Sequence, residues 1–175
     1  MVNLKDKSEI YLAGGCFWGV EGYFKKIPGV IETEVGYANG NTSITNYEEI
    51  NKTDHSETVK VTCDINKISL QDILEYYFRI IDPTSVNKQG NDIGRQYRTG
   101  IYYTNENDKL IINKIIRQIQ EQYKKKIAVV VDLLNNFVLA EGYHQAYLDK
   151  NPNGYCHINI NLANEPLESK KMTKV

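Results

Sequence analysis

Gly14-Gly15-Cys16-Phe17-Trp18-Gly19 constrains this chain more than any other stretch, because two different periodicities meet there across a pair of glycines. Before it, Glu9-Ile10-Tyr11-Leu12-Ala13 has strand character; after it, Phe17, Val20, Phe24 and Ile27 recur at the spacing of one helix face. The pattern predicts a strand that turns straight into a helix, with Cys16 at the turn. There the unpaired N–H groups and the positive end of the helix dipole favour a thiolate. The expected pKa of Cys16 therefore lies below the roughly 8.5 of a plain thiol. Phe17 and Trp18, adjacent at a helix start, are expected to form a shallow apolar wall beside the sulfur. The competing reading is a thiol buried as a small hydrophobe at an ordinary glycine turn.

A second constraint comes from Glu57-Thr58-Val59-Lys60-Val61-Thr62-Cys63, where strand period places Glu57, Val59, Val61 and Cys63 on one face. Glu57 is then a carboxyl at the edge of an apolar interior, where desolvation raises its pKa. The alternative is a strand-edge carboxylate turned to water. Cys63 reads as a buried core thiol. Further strands are expected at residues 30–37, 99–103, 128–133 and 136–140, the last two about a short Asn135-Asn136 turn. Ser69 and Asp72 resemble a capping box opening a helix whose apolar stripe runs from Leu70 to Ile81. The longest helix is expected over 106–126, with Lys124-Lys125-Lys126 at the negative end of its dipole. A short helix is expected over 143–148 and an irregular tail from about 157, fraying at its polar end. Residues 38–55 and 84–98 are long polar loops with no packing period, which favours binding or catalysis.

With 175 residues, 41% apolar and 25% charged, one domain with one core accounts for the chain. A net charge of −1 excludes a nucleic-acid footprint. The absence of any long apolar run excludes a membrane span, and a polar N-terminus points to a cytoplasmic protein. Cys16, Cys63 and Cys156 match neither a zinc site nor a disulfide scaffold, so a disulfide, if one forms, is transient. The expected fold is α+β: a mixed, mostly antiparallel sheet with two main helices on one face, in the split β-α-β manner, and long loops closing over Cys16.

Six motifs, in order, give the chain a close resemblance to the A-type peptide methionine sulfoxide reductases. They are Gly15-Cys16-Phe17-Trp18-Gly19, Val35-Gly36-Tyr37-Ala38, Asn46-Tyr47-Glu48-Glu49, His55-Ser56-Glu57, Gln89-Gly90-Asn91-Asp92 with Gln96-Tyr97-Arg98, and Asn151-Pro152-Asn153-Gly154-Tyr155-Cys156. The resemblance implies reduction of the S epimer of methionine sulfoxide, free or in proteins, without metal or organic cofactor. It makes Cys16 the nucleophile, Glu57 the proton donor, Tyr47 and Tyr97 the hydroxyls that hold the sulfoxide oxygen, and Asp92 a polar support. Phe17 and Trp18 would pocket the substrate methyl, and Cys156 would resolve the Cys16 sulfenic acid. Thioredoxin or glutaredoxin would be the reductant, and the protein a monomer, with a dimer left open. The chain departs from the family pattern in lacking a further tail cysteine, in Gly142, and in Arg95 where a threonine is usual. Two other classes compete: a cysteine hydrolase pairing Cys16 with His55, His144 or His157, and a zinc module on Cys63, Cys156, His55 and His157. His144 and His157 read more simply as hydrogen-bonded structural residues.

Overall fold

Strand β1 (Lys7–Gly14) runs into helix α1 (Phe17–Phe24), as the glycine junction requires. The computed structural model describes residues 2–171, so the last four residues of the expected fraying end lie outside the described part. The chain continues through β2 (Val30–Ala38), α2 (Ile50–Thr53), β3 (Ser56–Asp64) and α3 (Leu70–Arg79). A small hairpin of β4 (Lys88–Gln89) and β5 (Asp92–Ile93) precedes β6 (Thr99–Tyr103) and α4 (Glu106–Gln120). Then come β7 (Val130–Leu133), β8 (Phe137–Leu139), α5 (Tyr147–Lys150) and α6 (Glu168–Lys171).

The main sheet has the order β7-β6-β1-β3-β2-β8. β3 lies between β1 and β2 and antiparallel to both, so α1 links two strands split by a third. α3 likewise links β3 to β6 across β1. These two split β-α-β units give the fold the expected manner, and the parallel β6–β7 pair makes the sheet mixed. Ile10, Leu12, Val59, Val61 and Ile101 meet Phe17, Val20, Phe24, Ile73, Leu74 and Ile112 in one core, to which α1, α3 and α4 all contribute.

The turn expected at Asn135-Asn136 is not formed: residues 134–136 are neither turn nor bend, and they carry the chain between opposite ends of the strand order instead of closing a hairpin. Only three residues separate β7 from β8, a link of at most about 14 Å. The sheet must therefore curl until its edges approach. Leu134 N–H donates to the Tyr103 carbonyl on one edge at 2.8 Å, and the Asn136 carbonyl accepts from Asn39 N–H on the other at 3.1 Å. Curling also covers the far face of the sheet, where Tyr11, Ala13, Ala38 and Tyr102 cluster with Phe137 and Leu134.

Helix ends follow local chemistry where it is available. The Ser69 and Asp72 capping box is formed, with Asp72 N–H donating to Ser69 Oγ at 3.1 Å. α4 stops at Gln120, six residues before the expected end, so the three exposed lysines do not cap it. The cause is the Gln120 side chain. It donates to the Tyr123 and Lys125 carbonyls and accepts from Ile127 N–H, turning the chain toward β7. The helix expected over 143–148 is two short pieces broken at Ala146, whose φ is 51°. The segment after His157, expected to be flexible, is held on the body: Ala163 and Leu167 are buried, and Arg79 donates to the carbonyls of Leu162, Glu165 and Pro166.

Candidate active site

Gly15 makes the sharp turn between β1 and α1 with φ of 89°, and a Cβ there would stand 2.8 Å from Gln89 Cβ. Cys16 follows as the N-cap residue of α1. The first helical N–H, that of Phe17, donates to Glu57 Oε1 at 3.1 Å, which draws the β3 carboxyl against the nucleophile's own turn. Glu57 is 2% exposed and lies on the core face of β3, so the reading of a carboxylate turned to water fails. A cavity of about 150 Å³ holds Cys16 and Glu57. Phe17 and Trp18 form one wall; Tyr47, Asp92 and Tyr97, from the two polar loops, close it. Seven of the eight predicted site residues thus line one cavity; the eighth, Cys156, does not.

Burial pushes the Glu57 carboxyl up to about 8, the Phe17 N–H opposing and the Asp92 carboxylate assisting. At neutral pH it is a neutral acid. Cys16 departs from expectation: desolvation, then the charge of Glu57, raises its pKa instead of lowering it, against the helix-end contribution of the Trp18 N–H. At 7% exposure the thiol loses more by leaving water than the first turn of an eight-residue helix returns. Burial and the nearby Glu57 raise Tyr47 and Tyr97 as well, keeping both phenols as donors. The site therefore combines a buried sulfur nucleophile, a neutral carboxylic acid and phenolic donors beside an apolar wall. That set can displace an oxygen that must be protonated as it leaves its atom.

Residues far apart in the chain set this geometry. Trp18 stacks on Tyr147 with ring centroids 3.7 Å apart and donates from Nε1 to His144 Nδ1 at 3.0 Å. The His144–Tyr147 stretch is fixed in turn by Glu21, buried on α1, which accepts from Ala146 N–H at 2.8 Å. Glu141 accepts from Tyr37 Oη at 2.9 Å and from Tyr47 N–H at 3.3 Å, tying the Tyr47 loop to β2. Arg95 forms a bidentate pair with Asp54 at 2.6 and 2.9 Å, joining the Tyr97 turn to the residue before His55. Tyr155 also lines the cavity and donates to Asp92 Oδ2 at 2.9 Å, holding the carboxylate. Sequence reasoning passed over Glu21, Glu141 and Tyr155. Only Tyr155 carried a signal, its place beside Cys156.

No histidine ring lines the cavity, which removes the geometric basis of the hydrolase reading. His144 accepts from Trp18, His55 Nδ1 contacts Thr53 Oγ1 at 2.8 Å, and His157 Nε2 meets the Gly14 carbonyl at 3.0 Å. Among the described residues no group of three or more His, Cys, Asp or Glu is placed to hold a metal ion. Among them too, no helix is long and apolar enough to cross a membrane. Cys63 is buried in the core beside Ser8 Oγ, at 3.2 Å. Cys156 has its Sγ 2.9 Å from where a Cβ on Gly19, three residues after Cys16, would be, and all three thiols are free.

Comparison with known proteins places this geometry in a family. The family model described as peptide methionine sulfoxide reductase matches residues 8–175. The reduced form of Mxr1 from Saccharomyces cerevisiae is 36% identical and superposes with a TM-score of 0.85, over 91% of this chain and 94% of that one. Methionine sulfoxide reductase A of Corynebacterium diphtheriae is 32% identical, with a TM-score of 0.78 over 86% of this chain and 78% of its own. The yeast protein in complex with Trx2 matches at 27% identity and a TM-score of 0.61, covering 84% of this chain and 88% of that one. With the family model spanning nearly the whole chain and the split β-α-β fold shared, this protein belongs to the peptide methionine sulfoxide reductase family of enzymes.

Proposed function

We propose that this enzyme reduces the S epimer of methionine sulfoxide, free or in proteins, and so repairs oxidised protein. The observation that carries the reading is the convergence of the Cys16 thiol, the Glu57 acid and the Tyr47 and Tyr97 phenols with the Phe17 and Trp18 rings in one small cavity. The substrate methyl packs on the two rings, and the sulfoxide oxygen accepts from the phenols. Asp92, held by Tyr155, supports the polar side. Cys16 attacks the sulfoxide sulfur while Glu57 protonates the oxygen, and the proton leaving the thiol restores the carboxyl. Attack forms a bond between the two sulfurs; transfer of the protonated oxygen to the Cys16 sulfur then breaks that bond and the substrate S–O bond, releasing methionine and leaving Cys16 as a sulfenic acid. The substrate sulfur gains two electrons, Cys16 loses two, and the sulfenic proton is the one Glu57 gave. Starting from a protonated thiol and a protonated carboxyl, the step needs no outside proton, which is consistent with both pKa values being raised by burial.

Cys156 then attacks the sulfenic sulfur. An S–S bond forms, the S–O bond breaks, and the oxygen leaves as water with the Cys156 proton. Cys156 lines a separate cavity of about 650 Å³, so an external thiol can approach its sulfur without entering the substrate cavity. The complex of the yeast relative with Trx2 favours thioredoxin over glutaredoxin as that reductant. A dithiothreitol-driven assay on separated epimers of a dabsylated methionine sulfoxide tests the reading. Turnover of S alone is expected; turnover of R, or of neither, refutes it.

A further inference from the structure

Three glycines about the β1–α1 junction, Gly14, Gly15 and Gly19, lie against the segment that carries Cys156, and one side chain makes most of that contact. A Cβ at Gly19 would stand 2.9 Å from Cys156 Sγ, 3.2 Å from Ile158 Cγ1 and 3.4 Å from His157 Nδ1. A Cβ at Gly15 would stand 3.0 Å from His157 Nε2. The same Nε2 lies 3.0 Å from the Gly14 carbonyl, which can only accept, so Nε2 carries the ring proton. The imidazole thus lies across the β1–α1 junction on both sides of Cys16, filling the space that Gly15 and Gly19 leave open. The next residue back in the chain puts its sulfur over Gly19.

The arrangement has a cost. His157 Nδ1 is buried with no partner, a cost that a gain from where the ring sits would offset. His157 does not line the substrate cavity, so its position serves something other than the sulfoxide. Burial lowers its pKa, which favours the neutral ring.

Resting on the reading of Cys156 as the recycling cysteine, we propose that His157 is a positioning residue for the disulfide step: tied to the Gly14 carbonyl and seated over Gly15 and Gly19, it holds the Cys156 thiol against Gly19, three residues after Cys16. The step it serves is the attack of Cys156 on the Cys16 sulfenic acid. Bringing a thiol and its target together in advance removes much of the entropic barrier, and a misplacement of about 1 Å costs on the order of a hundredfold.

The test is a single-turnover experiment on the full chain. Reduced protein receives one equivalent of S-sulfoxide; methionine release, dimedone-trapped sulfenic acid and the Cys16 to Cys156 disulfide are each followed in time. His157→Ala is expected to release methionine at the wild-type rate but to form the disulfide about tenfold to a hundredfold more slowly, with sulfenic acid accumulating. His157→Gln, whose amide can donate to the Gly14 carbonyl, is expected to recover much of the disulfide rate. Gly19→Ala, which favours the helix but displaces the Cys156 sulfur, is expected to behave like His157→Ala. Disulfide formation in His157→Ala within twofold of wild type overturns the proposal, as does His157→Gln no better than His157→Ala. Loss of methionine release in His157→Ala also overturns it, because the residue would then act on Cys16. Failure of the functional reading looks different: wild type itself would release no methionine, or would form no link to Cys156.

Discussion

Glu57→Gln separates the catalytic use of this carboxyl from its cost to the fold. The folded protein holds the Glu57 proton up to about pH 8, whereas the unfolded chain releases it near 4.5. Between those values the native state binds more protons than the unfolded state, so this group's contribution is fully present below about pH 4.5 and is lost as pH rises through about 8. Each tenfold change in proton affinity is worth about 1.4 kcal/mol, so the whole loss is on the order of 5 kcal/mol. That is comparable with the entire stability of many domains. Glutamine keeps the acceptor for Phe17 N–H but does not ionise, so the variant escapes the loss. Urea unfolding of both proteins at pH 5 and pH 9 reads it: the stability of Glu57→Gln relative to wild type should rise by several kcal/mol across that interval. All other groups are common to the two proteins and cancel in the difference. At neutral pH the same variant should lose about a hundredfold to ten-thousandfold in kcat/KM, the usual worth of a general acid. Parallel stability curves would refute the argument that a desolvated, neutral carboxyl occupies this position.

Cys16→Ser should abolish reduction of the S epimer without changing the circular dichroism spectrum, because a hydroxyl cannot take the sulfoxide oxygen; measurable turnover would remove Cys16 from the mechanism. Cys156→Ser should give one methionine per enzyme with thioredoxin and retain multiple turnover with dithiothreitol, read by methionine release under each reductant; equal thioredoxin-driven rates for variant and wild type would mean recycling through Cys16 alone. In wild type, kcat/KM for the first step should fall as pH rises through about 8, where Glu57 loses the proton it must donate. Ser69→Ala should lower stability by about 1 kcal/mol through loss of the α3 cap and leave activity unchanged, measured by thermal unfolding and the epimer assay.

What the sequence by itself determined is local. The strand-glycine-helix junction, the face of β3 shared by Glu57, Val59, Val61 and Cys63, and the Ser69 capping box depend on neighbours within about one turn or one strand, and residue spacing reports them directly. The cavity was legible for a second reason: its residues lie in short motifs whose order resembles a known family, not in any periodicity of the loops that carry Tyr47, Asp92 and Tyr97. Only the tertiary structure decided the rest. Gln120 ends α4 by reaching carbonyls that follow it, where helix propensity alone would have carried on through the lysines. β7 and β8 take opposite edges because the sheet curls, a property of six strands together. Glu21, Glu141 and Tyr155 became supports of the site by meeting Ala146, Tyr37 and Asp92 across long stretches of chain. The Cys16 pKa shows the physical reason most directly. A helix N-terminus is visible in sequence and favours the thiolate, but desolvation depends on what the whole fold packs around the sulfur, and here desolvation is the larger effect.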